Sequence, residues 1–297
     1  MQQLKFDVRS RRIYKKQSME IKDLKDMAAQ IRRDIVRMVY NAQSGHPGGS
    51  LGCADFFAAL YFRVMDRKEG FDMDGKGEDI FVLSNGHISP VWYSTLAHAG
   101  YFPLKELDTY RKIDSRVQGH PATAEHLPGI RVASGSLGQG MSVAIGAATA
   151  KKLNKDNHLV FSLHGDGELD EGQNWEAIMY GAMHKVDNLI STIDRNHQQI
   201  DGTTEDVMGL SSLKDKFLAF NWEVLEMNGN DVEDVINTMQ KAKSMTGKGK
   251  PIAIIMTTIM GKGVDFMENN HEWHGTAPNA EQYKKAMQEL PETLGDY

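Results

Sequence analysis

The stretch of sequence that decides the fold, residues 165–196, reads GDGELDEGQNWEAIMYGAMHKVDNLISTIDRN. An apolar run precedes Gly165, a segment of helical period follows it, and a second apolar run ends at Asp194. A strand, a helix and a strand at this spacing predict two parallel neighbouring strands joined by a right-handed crossover. The carboxyl ends of such strands lie at one edge of the sheet, where open α/β sheets bind ligands. We therefore expect Asp166 and Asn196, which follow the two strands, to lie side by side.

The chemistry of these two strand ends predicts a metal and phosphate site. Asp166 offers a carboxylate oxygen and Asn196 an amide oxygen, and the glycines on both sides of Asp166 let a phosphate approach the backbone. Magnesium prefers oxygen ligands and commonly binds through one or two carboxylates together with substrate phosphates. Gly-Asp-Gly by itself is also typical of a structural turn, so the prediction depends on the second strand end.

Alternation of apolar runs with helical segments continues along the rest of the chain. Largely apolar runs predict strands covered on both faces, at 79–84, 158–164, 188–194, 222–227 and 251–258. Segments of helical period predict helices at 21–43, 52–65, 90–99, 137–152, 172–185, 232–242 and 280–289. The pattern predicts an α/β fold, a single domain over residues 19–297 with a mostly parallel sheet covered by helices on both faces. Residues 1–18 read as a polar lead-in to this domain.

Composition and charge exclude several classes of protein. A net charge of −6, a pI near 6.0 and the lack of a basic stripe argue against a nucleic-acid partner. No apolar segment near the N-terminus is long enough for a signal peptide or a membrane span, so no membrane association is expected. The only cysteine, Cys53, excludes an intrachain disulfide and a cysteine-based zinc site. These features predict a cytoplasmic globular protein.

Four further segments place histidines beside glycines and prolines, outside the predicted helices and strands. They read SGHPGGSLG at residues 44–52, LSNGH at 83–87, QGHP at 118–121 with GSLGQG at 135–140, and WHG at 273–275. One histidine beside a glycine or a proline is often only part of a turn. The glycines around His46 permit a tight loop that offers this histidine to a cleft, because loops carry binding and catalytic residues more often than other elements do.

Together with the motif at residues 165–196, these segments resemble transketolase, and they occur in the order found in that family. The resemblance extends from about residue 20 to about residue 285 and implies a thiamine diphosphate-binding domain. It implies thiamine diphosphate and Mg²⁺ as cofactors, with Ca²⁺ or Mn²⁺ as substitutes for the metal. The implied reaction transfers a two-carbon ketol unit from a ketose phosphate to an aldose phosphate, as in the pentose phosphate pathway.

Positions that match the family assign the residues around the metal and the cofactor. The implied metal ligands are Asp166, Asn196 and the main-chain carbonyl of Gln198, where transketolases commonly have an apolar residue. The segment 261–270 differs from microbial full-length forms and looks closer to split or animal-type ones. The residues implied to contact the diphosphate or the rings of the cofactor are His87, Gly135, Leu137, Gly167, Asn196, Ile200, Ile259, Lys262 and His274.

The same resemblance implies four catalytic residues: His46, His120, Glu171 and His274. The three histidines are expected to face the substrate, and Glu171 is expected at the subunit contact beside the cofactor pyrimidine. Histidine suits proton transfer because its ordinary pKa lies near neutrality. We expect His46 and His274 nearest the reacting hydroxyls, and His120 on the C1 hydroxyl and carbonyl of the donor.

Full-length transketolases continue with a pyrimidine-binding domain that this sequence does not contain before it ends at Tyr297. In the family that second half supplies the proton-relay glutamate, the aromatic residues around the pyrimidine and most phosphate-binding side chains. The resemblance therefore implies a separate partner subunit, in an α₂β₂ assembly with two active sites at the chain interfaces. The chain alone is expected to bind the diphosphate of the cofactor and to have little turnover.

Three alternatives remain open at this point. 1-Deoxyxylulose-5-phosphate synthase has a similar early loop and diphosphate motif, but the QGHP and WHG segments fit transketolase better. The α subunits of two-oxoacid dehydrogenases share the Gly-Asp-Gly and Asn frame but lack the SGHPG and SNGH segments. A non-catalytic scaffolding homologue is the third alternative, against which the retained Asp166, Asn196 and four loop histidines argue.

Overall fold

The computed structural model describes residues 19–297, and its centre is a five-stranded sheet. The predicted lead-in, residues 1–18, lies outside the described residues. The strands lie in the order β1-β2-β3-β7-β6, every neighbouring pair is parallel, and each strand overlaps a predicted one, which confirms the parallel sheet. Their bounds are β1 (Ile80–Leu83), β2 (Val160–Gly165), β3 (Leu189–Arg195), β6 (Glu223–Asn228) and β7 (Ile252–Thr257).

The register of the first three strands positions the loops that follow them. Gly165, the last residue of β2, pairs with Asp194 in β3. Leu83, the last residue of β1, pairs with Leu163, two residues before the end of β2. Since parallel strands end at one edge of a sheet, the loops after β1, β2 and β3 leave it side by side.

Helices cover both faces of the sheet, which confirms the predicted α/β layers. Their bounds are α1 (Ile21–Ala42), α2 (Pro47–Gly52), α3 (Ala54–Ala59), α4 (Ser89–His98), α5 (Gly140–Leu153), α6 (Gly172–Met183), α7 (Thr204–Met208), α8 (Leu213–Ala219), α9 (Val232–Met245) and α10 (Ala280–Glu289). Helices α1, α3, α4 and α9 bury one face, around Phe161 and Leu163, and α5, α6 and α8 bury the other, around Val160 and Ile193. Within residues 19–297, no helix is both long and apolar enough to cross a lipid bilayer.

The predicted helix at 52–65 is interrupted in the structure. It consists of α3 and a π-helical continuation, Leu60–Val64, and Cys53 separates it from the short helix α2. Helix α2 is buried along its whole length. A Cβ placed on Gly52 would lie 3.0 Å from the carbonyl oxygen of Ile259. The glycine therefore lets α2 pack directly against the backbone that follows β7.

The segment between β3 and β6 holds elements that the sequence pattern did not predict. Strands β4 (Gln198–Gln199) and β5 (Gly202–Thr203) form an antiparallel hairpin, and α7 and α8 follow it. Thr203 and Ser212 begin these two helices with side-chain oxygens that accept main-chain N–H groups. The helices have only five and seven residues, which is too short for an apolar period to be recognised.

Candidate active site

Four histidines from four separate loops meet beside the carboxyl end of β1. The ring centroid of His46 lies 5.1 Å from that of His87 and 5.6 Å from that of His274. The centroids of His87 and His274 are 5.0 Å apart, and that of His120 lies 6.2 Å from that of His46. We name this set the histidine cluster. It contains all four histidines that stand beside glycine or proline in the quoted segments.

Glycines leave room for the rings of the cluster. His46 precedes α2, and a Cβ on Gly275 would lie 3.4 Å from its ring. Gly135 has a φ of +133°, and a Cβ there would approach the ring of His120 to 2.8 Å. Both the backbone conformation and the close approach favour glycine at this position. The glycine-rich loop before α5 is thereby held against the histidine cluster.

Burial favours the neutral form of these imidazoles. It lowers the pKa of His46 to about 4, with further contributions from His274, Arg111 and His120. Burial also holds the pKa of His87 well below its ordinary value, and neighbouring imidazoles add to the effect. The pKa of His120 is lowered by burial and by Arg111, and that of His274 by burial. Nδ1 of His46 is buried and has no hydrogen-bond partner among residues 19–297, so it is available for a hydrogen bond to a ligand.

The ends of β2 and β3 bring Asp166 and Asn196 together. Asp166 Oδ1 accepts a hydrogen bond from the N–H of Gly167, and its Oδ2 accepts one from the N–H of His197, both at 2.8 Å. His197 directly follows Asn196 in the chain. Asn196 in turn donates from Nδ2 to Asp194 Oδ2 at 2.8 Å, so a buried carboxylate orients its amide.

The two buried carboxylates of Asp166 and Asp194, which we name the acidic edge, favour a cation. Burial, together with the neighbouring Asp194, raises the pKa of Asp166 to about 7, and burial also raises the pKa of Asp194. Arg195 neutralises part of this charge, with Nη1 3.3 Å from Asp166 Oδ2. The oxygen donors suit Mg²⁺. Across residues 19–297 no three His, Cys, Asp or Glu side chains form a metal cluster, so a cation here needs amide, carbonyl and ligand oxygens as well.

The glycine-rich loop before α5 lies against the same edge of the sheet. The N–H of Gly138 donates to Glu168 Oε1 at 2.8 Å, and a Cβ on Gly138 would lie 2.8 Å from the Cβ of Glu171. The N–H of Gly140 donates to Ser84 Oγ at 3.0 Å. Glu171, the residue before α6, is exposed. The loop is therefore anchored to the ends of β1 and β2, with an exposed carboxylate beside it.

Two other residues implied by the resemblance lie next to these groups, and a third lies in the loop. The N–H of Gln198 donates to Asn196 Oδ1 at 3.0 Å, which places the start of β4 beside the acidic edge. A Cβ on Gly167 would approach Cγ of Gln199 to 2.8 Å, so this glycine lies under the hairpin. Leu137 is half-buried in the glycine-rich loop.

The structure places the remaining implied residues in different surroundings. The backbone of Ile259 packs on α2, and its N–H donates to Asn230 Oδ1 at 2.8 Å. Ile200 lies at the turn of the β4–β5 hairpin and is 64% exposed. Lys262 forms an ion pair with Glu268, Nζ to Oε1 3.2 Å. The chain alone thus leaves Ile200 unpacked and gives Lys262 a carboxylate neighbour.

Three residues of the site were not singled out from the sequence: Arg111, Glu168 and Asp194. Asp194 carried a usable signal, because it ends a predicted strand two residues before Asn196. Arg111 and Glu168 carried none. Their places depend on residues distant in the chain, such as Ser84, whose hydroxyl donates to Glu168.

The sequence of this chain is similar to those of several known proteins. Residues 24–292 match the family described as the transketolase, thiamine diphosphate binding domain. The chain is 42% identical to an apulose-4-phosphate transketolase subunit of Phocaeicola vulgatus, over 93% of this chain and 96% of that protein. It is 37% identical to a 6-deoxy-6-sulfo-D-fructose transketolase subunit of a Clostridium species, over 90% of this chain and 96% of that one.

Solved structures give the same result. Transketolase from Campylobacter jejuni superposes with a TM-score of 0.83 at 33% identity, and the match covers 92% of this chain and 43% of that one. The chain therefore spans less than half the length of that solved transketolase. The family match includes all but a few of the described residues. This chain belongs to the transketolase family, and it carries the family's thiamine diphosphate-binding domain.

Proposed function

We propose that this chain is the N-terminal subunit of a two-chain transketolase that moves a two-carbon ketol unit from a ketose phosphate to an aldose phosphate. Residues 19–297 would form its single cofactor-binding domain. The observation that carries the proposal is that the turns bearing His87 and Asp166 lie beside each other: a Cβ on Gly165, the residue before Asp166, would lie 3.8 Å from Cβ of Asn85, which is two residues before His87. Two relatives of nearly equal length are named as transketolase subunits, which supports the division into two chains.

In this proposal Mg²⁺ lies at the acidic edge and is held by Asp166, by Asn196 and by the carbonyl of Gln198. When bound, thiamine diphosphate supplies a nucleophilic thiazolium carbon and an electron sink. The buried carboxylates would balance the charge of the metal, and the metal would balance that of the diphosphate. The residues proposed to contact the cofactor are His87, Gly135, Leu137, Gly167, Asn196, Ile200, Ile259, Lys262 and His274.

The histidine cluster would handle the protons of the substrate. Neutral imidazole can accept a proton from a hydroxyl and return it later, and burial favours that neutral form in His46 and His274. His120, held against Gly135, would position the C1 hydroxyl and carbonyl of the donor. The low dielectric around the buried imidazoles would strengthen the hydrogen bonds that they form to the substrate.

A partner subunit with a pyrimidine-binding domain would complete the site. Glu171 is exposed beside the glycine-rich loop, where such a chain could contact it. Ile200 is exposed on the hairpin, and burial by a partner or by the cofactor would remove its apolar surface from water. We propose an α₂β₂ assembly with two sites at the interfaces between unlike chains.

The first test separates binding from turnover. Calorimetry of the purified chain with thiamine diphosphate should show binding that requires Mg²⁺. The chain alone, assayed with ketose and aldose phosphates, should turn over slowly or not at all, and addition of the partner should restore activity. The assay should include a phosphorylated and a sulfonated ketose, because the two relatives are named for one of each.

The outcomes distinguish the alternatives. Absence of Mg²⁺-dependent cofactor binding, with and without the partner, would favour a scaffolding protein. Decarboxylation of pyruvate in place of ketol transfer would favour a 1-deoxyxylulose-5-phosphate synthase or the α subunit of a two-oxoacid dehydrogenase. Full activity of the isolated chain would contradict the two-chain proposal.

A further inference from the structure

Glu168 is a buried carboxylate for which the proposed mechanism has no use. It is 2% exposed and lies one residue after Gly167. Burying a carboxylate is costly unless it is fully hydrogen-bonded, so its retention in the interior needs a physical reason.

Three donors from three separate segments meet on this carboxylate. Oε1 accepts from the hydroxyl of Ser84 and from the N–H of Gly138, the latter at 2.8 Å. Oε2 accepts from the N–H of Gly165 at 3.0 Å. The hydroxyl oxygen of Ser84 also accepts from the N–H of Gly140 at 3.0 Å, which extends the network to the first residue of α5.

Each of the three segments carries residues of the candidate site. Ser84 precedes the turn that bears His87, Gly138 belongs to the loop of Gly135 and Leu137, and Gly165 precedes Asp166 and Gly167. Ser84, Gly138 and Gly165 are distant from one another in the chain. The carboxylate of Glu168 accepts a hydrogen bond from each of them. Gly165 ends β2 and Ser84 directly follows β1, so the sheet positions these two residues. The loop of Gly138 lies outside the sheet, and the carboxylate joins it to both strand ends.

We propose that Glu168 is a positioning residue that holds these three segments in the arrangement needed to bind the diphosphate of the cofactor. This proposal rests on the function proposed above. A carboxylate suits the role because it is acceptor-only and can take all three donors at once. An amide cannot, because its NH₂ group would face the N–H of Gly138 or of Gly165.

The test compares Glu168→Gln with the wild-type chain, and Glu176→Gln, an exposed glutamate on α6, is the matched control. Calorimetry with Mg²⁺ and thiamine diphosphate, and separately with Mg²⁺ and inorganic diphosphate, should show about 10- to 100-fold weaker binding in Glu168→Gln. Glu168→Asp keeps the charge on a shorter side chain and should recover part of the affinity. The control should bind as the wild type does.

Hydrogen exchange on the ligand-free chain gives a second, independent readout. In Glu168→Gln the amides of residues 134–140 and 84–87 should exchange faster, while those inside β2 and β3 should keep their protection. A folded Glu168→Gln with wild-type affinity and wild-type exchange in these loops would overturn the proposal. A lower melting temperature with unchanged cofactor affinity would overturn it too, since that is the signature of a purely structural residue.

Ser84→Ala decides the matter if Glu168→Gln does not fold. It removes one donor and the link to Gly140 but leaves the carboxylate, and it should weaken binding about tenfold; unchanged affinity would contradict the positioning role. Failure of the wild-type chain to bind either ligand, with and without the partner, would instead refute the proposed function. In that case the exchange measurement still tests whether Glu168 holds the loops together.

Discussion

The two walls of the site, the acidic edge and the histidine cluster, differ in how far their polar atoms are already hydrogen-bonded within the chain. At the acidic edge, each oxygen of Asp166 already accepts a main-chain N–H, and Asp194 orients the amide of Asn196. In the histidine cluster, by contrast, Nδ1 of His46 has no partner within residues 19–297. The fold already fixes the carboxylate of Asp166 in the acidic edge, whereas His46 in the histidine cluster keeps a ring nitrogen that is available to a ligand.

This difference predicts different roles for the acidic edge and for the histidine cluster. A carboxylate held by backbone donors suits a ligand that stays bound, such as a metal ion with its diphosphate. Imidazoles kept neutral by burial suit a substrate that binds and leaves, because a neutral ring can both donate and accept a hydrogen bond. Changes at the acidic edge should therefore affect cofactor retention, and changes in the cluster should affect turnover.

The largest effect is expected at Asp166. Asp166→Ala removes the one anionic metal ligand proposed here and should weaken Mg²⁺-dependent binding of thiamine diphosphate by more than about 100-fold, because loss of residues that merely orient a ligand already costs about 10- to 100-fold. Calorimetry with the purified variant measures this. Asp215→Ala, at an exposed site on α8, is the control. Retention of Mg²⁺-dependent binding would show that the metal ligands are assigned wrongly.

The opposite pattern is expected in the cluster. His274→Ala should lower the turnover of the complex with the partner subunit by about 100-fold, because it removes a group proposed to transfer protons. Cofactor affinity should fall much less, since the acidic edge stays intact. Steady-state kinetics at saturating cofactor separates the two, with the exposed His184→Ala as control. A wild-type rate would remove His274 from the mechanism.

The cluster should also make the isolated chain sensitive to acid. The folded pKa of His46, about 4, lies below the ordinary 6.5, so the unfolded chain binds a proton between these values that the folded chain does not. The contribution of His46 to stability is therefore complete above pH 6.5 and is lost as the pH falls to about 4, by roughly 3 kcal/mol. Urea unfolding at several pH values measures it. His46→Gln should reduce the dependence and leave the part that comes from the other imidazoles of the cluster, and His184→Gln should not change it.

The smallest effect is expected from the residue that orients Asn196. Asp194→Asn preserves the shape of the side chain and should weaken cofactor binding about tenfold while leaving turnover at saturation nearly unchanged. Calorimetry and kinetics on the same preparation test both parts, against Asp215→Asn. A loss of turnover without a loss of affinity would break the comparison between the two walls.

The features that followed regular patterns could be predicted from the sequence. Four of the five strands are buried apolar runs, and Asp166 and Asn196 stand at fixed distances from two of them. The fifth, β6, lies at the edge of the sheet and is only partly buried, so the prediction that it is covered on both faces was wrong. The interruption at Cys53, the hairpin of β4 and β5 and the helix α7 could not be predicted. They are short, and tertiary packing of the kind seen at Gly52 decides them more than periodicity does.

The site was predictable to the extent that its residues belong to recognisable segments. The histidine cluster follows from four glycine- and proline-flanked loops, but the sequence alone gave no distances between them. Glu168 could not be found, because nothing local marks a glutamate that Ser84 and Gly138 will enclose. Ile200 is exposed in the chain alone, so its surroundings depend on whatever ligand or partner binds at the hairpin.

The wide spacing of the histidine cluster along the chain has a kinetic consequence. His46 and His274 come from near opposite ends of the described residues, whereas only a 3-10 turn and α6 separate β2 from β3. Contacts between residues distant in the chain form slowly, because the entropy cost of closing a long loop comes before the contacts stabilise it. During refolding we therefore expect the acidic edge to form first and the histidine cluster to form last. If the proposed function holds, metal binding would then be regained before turnover of the sugar phosphate.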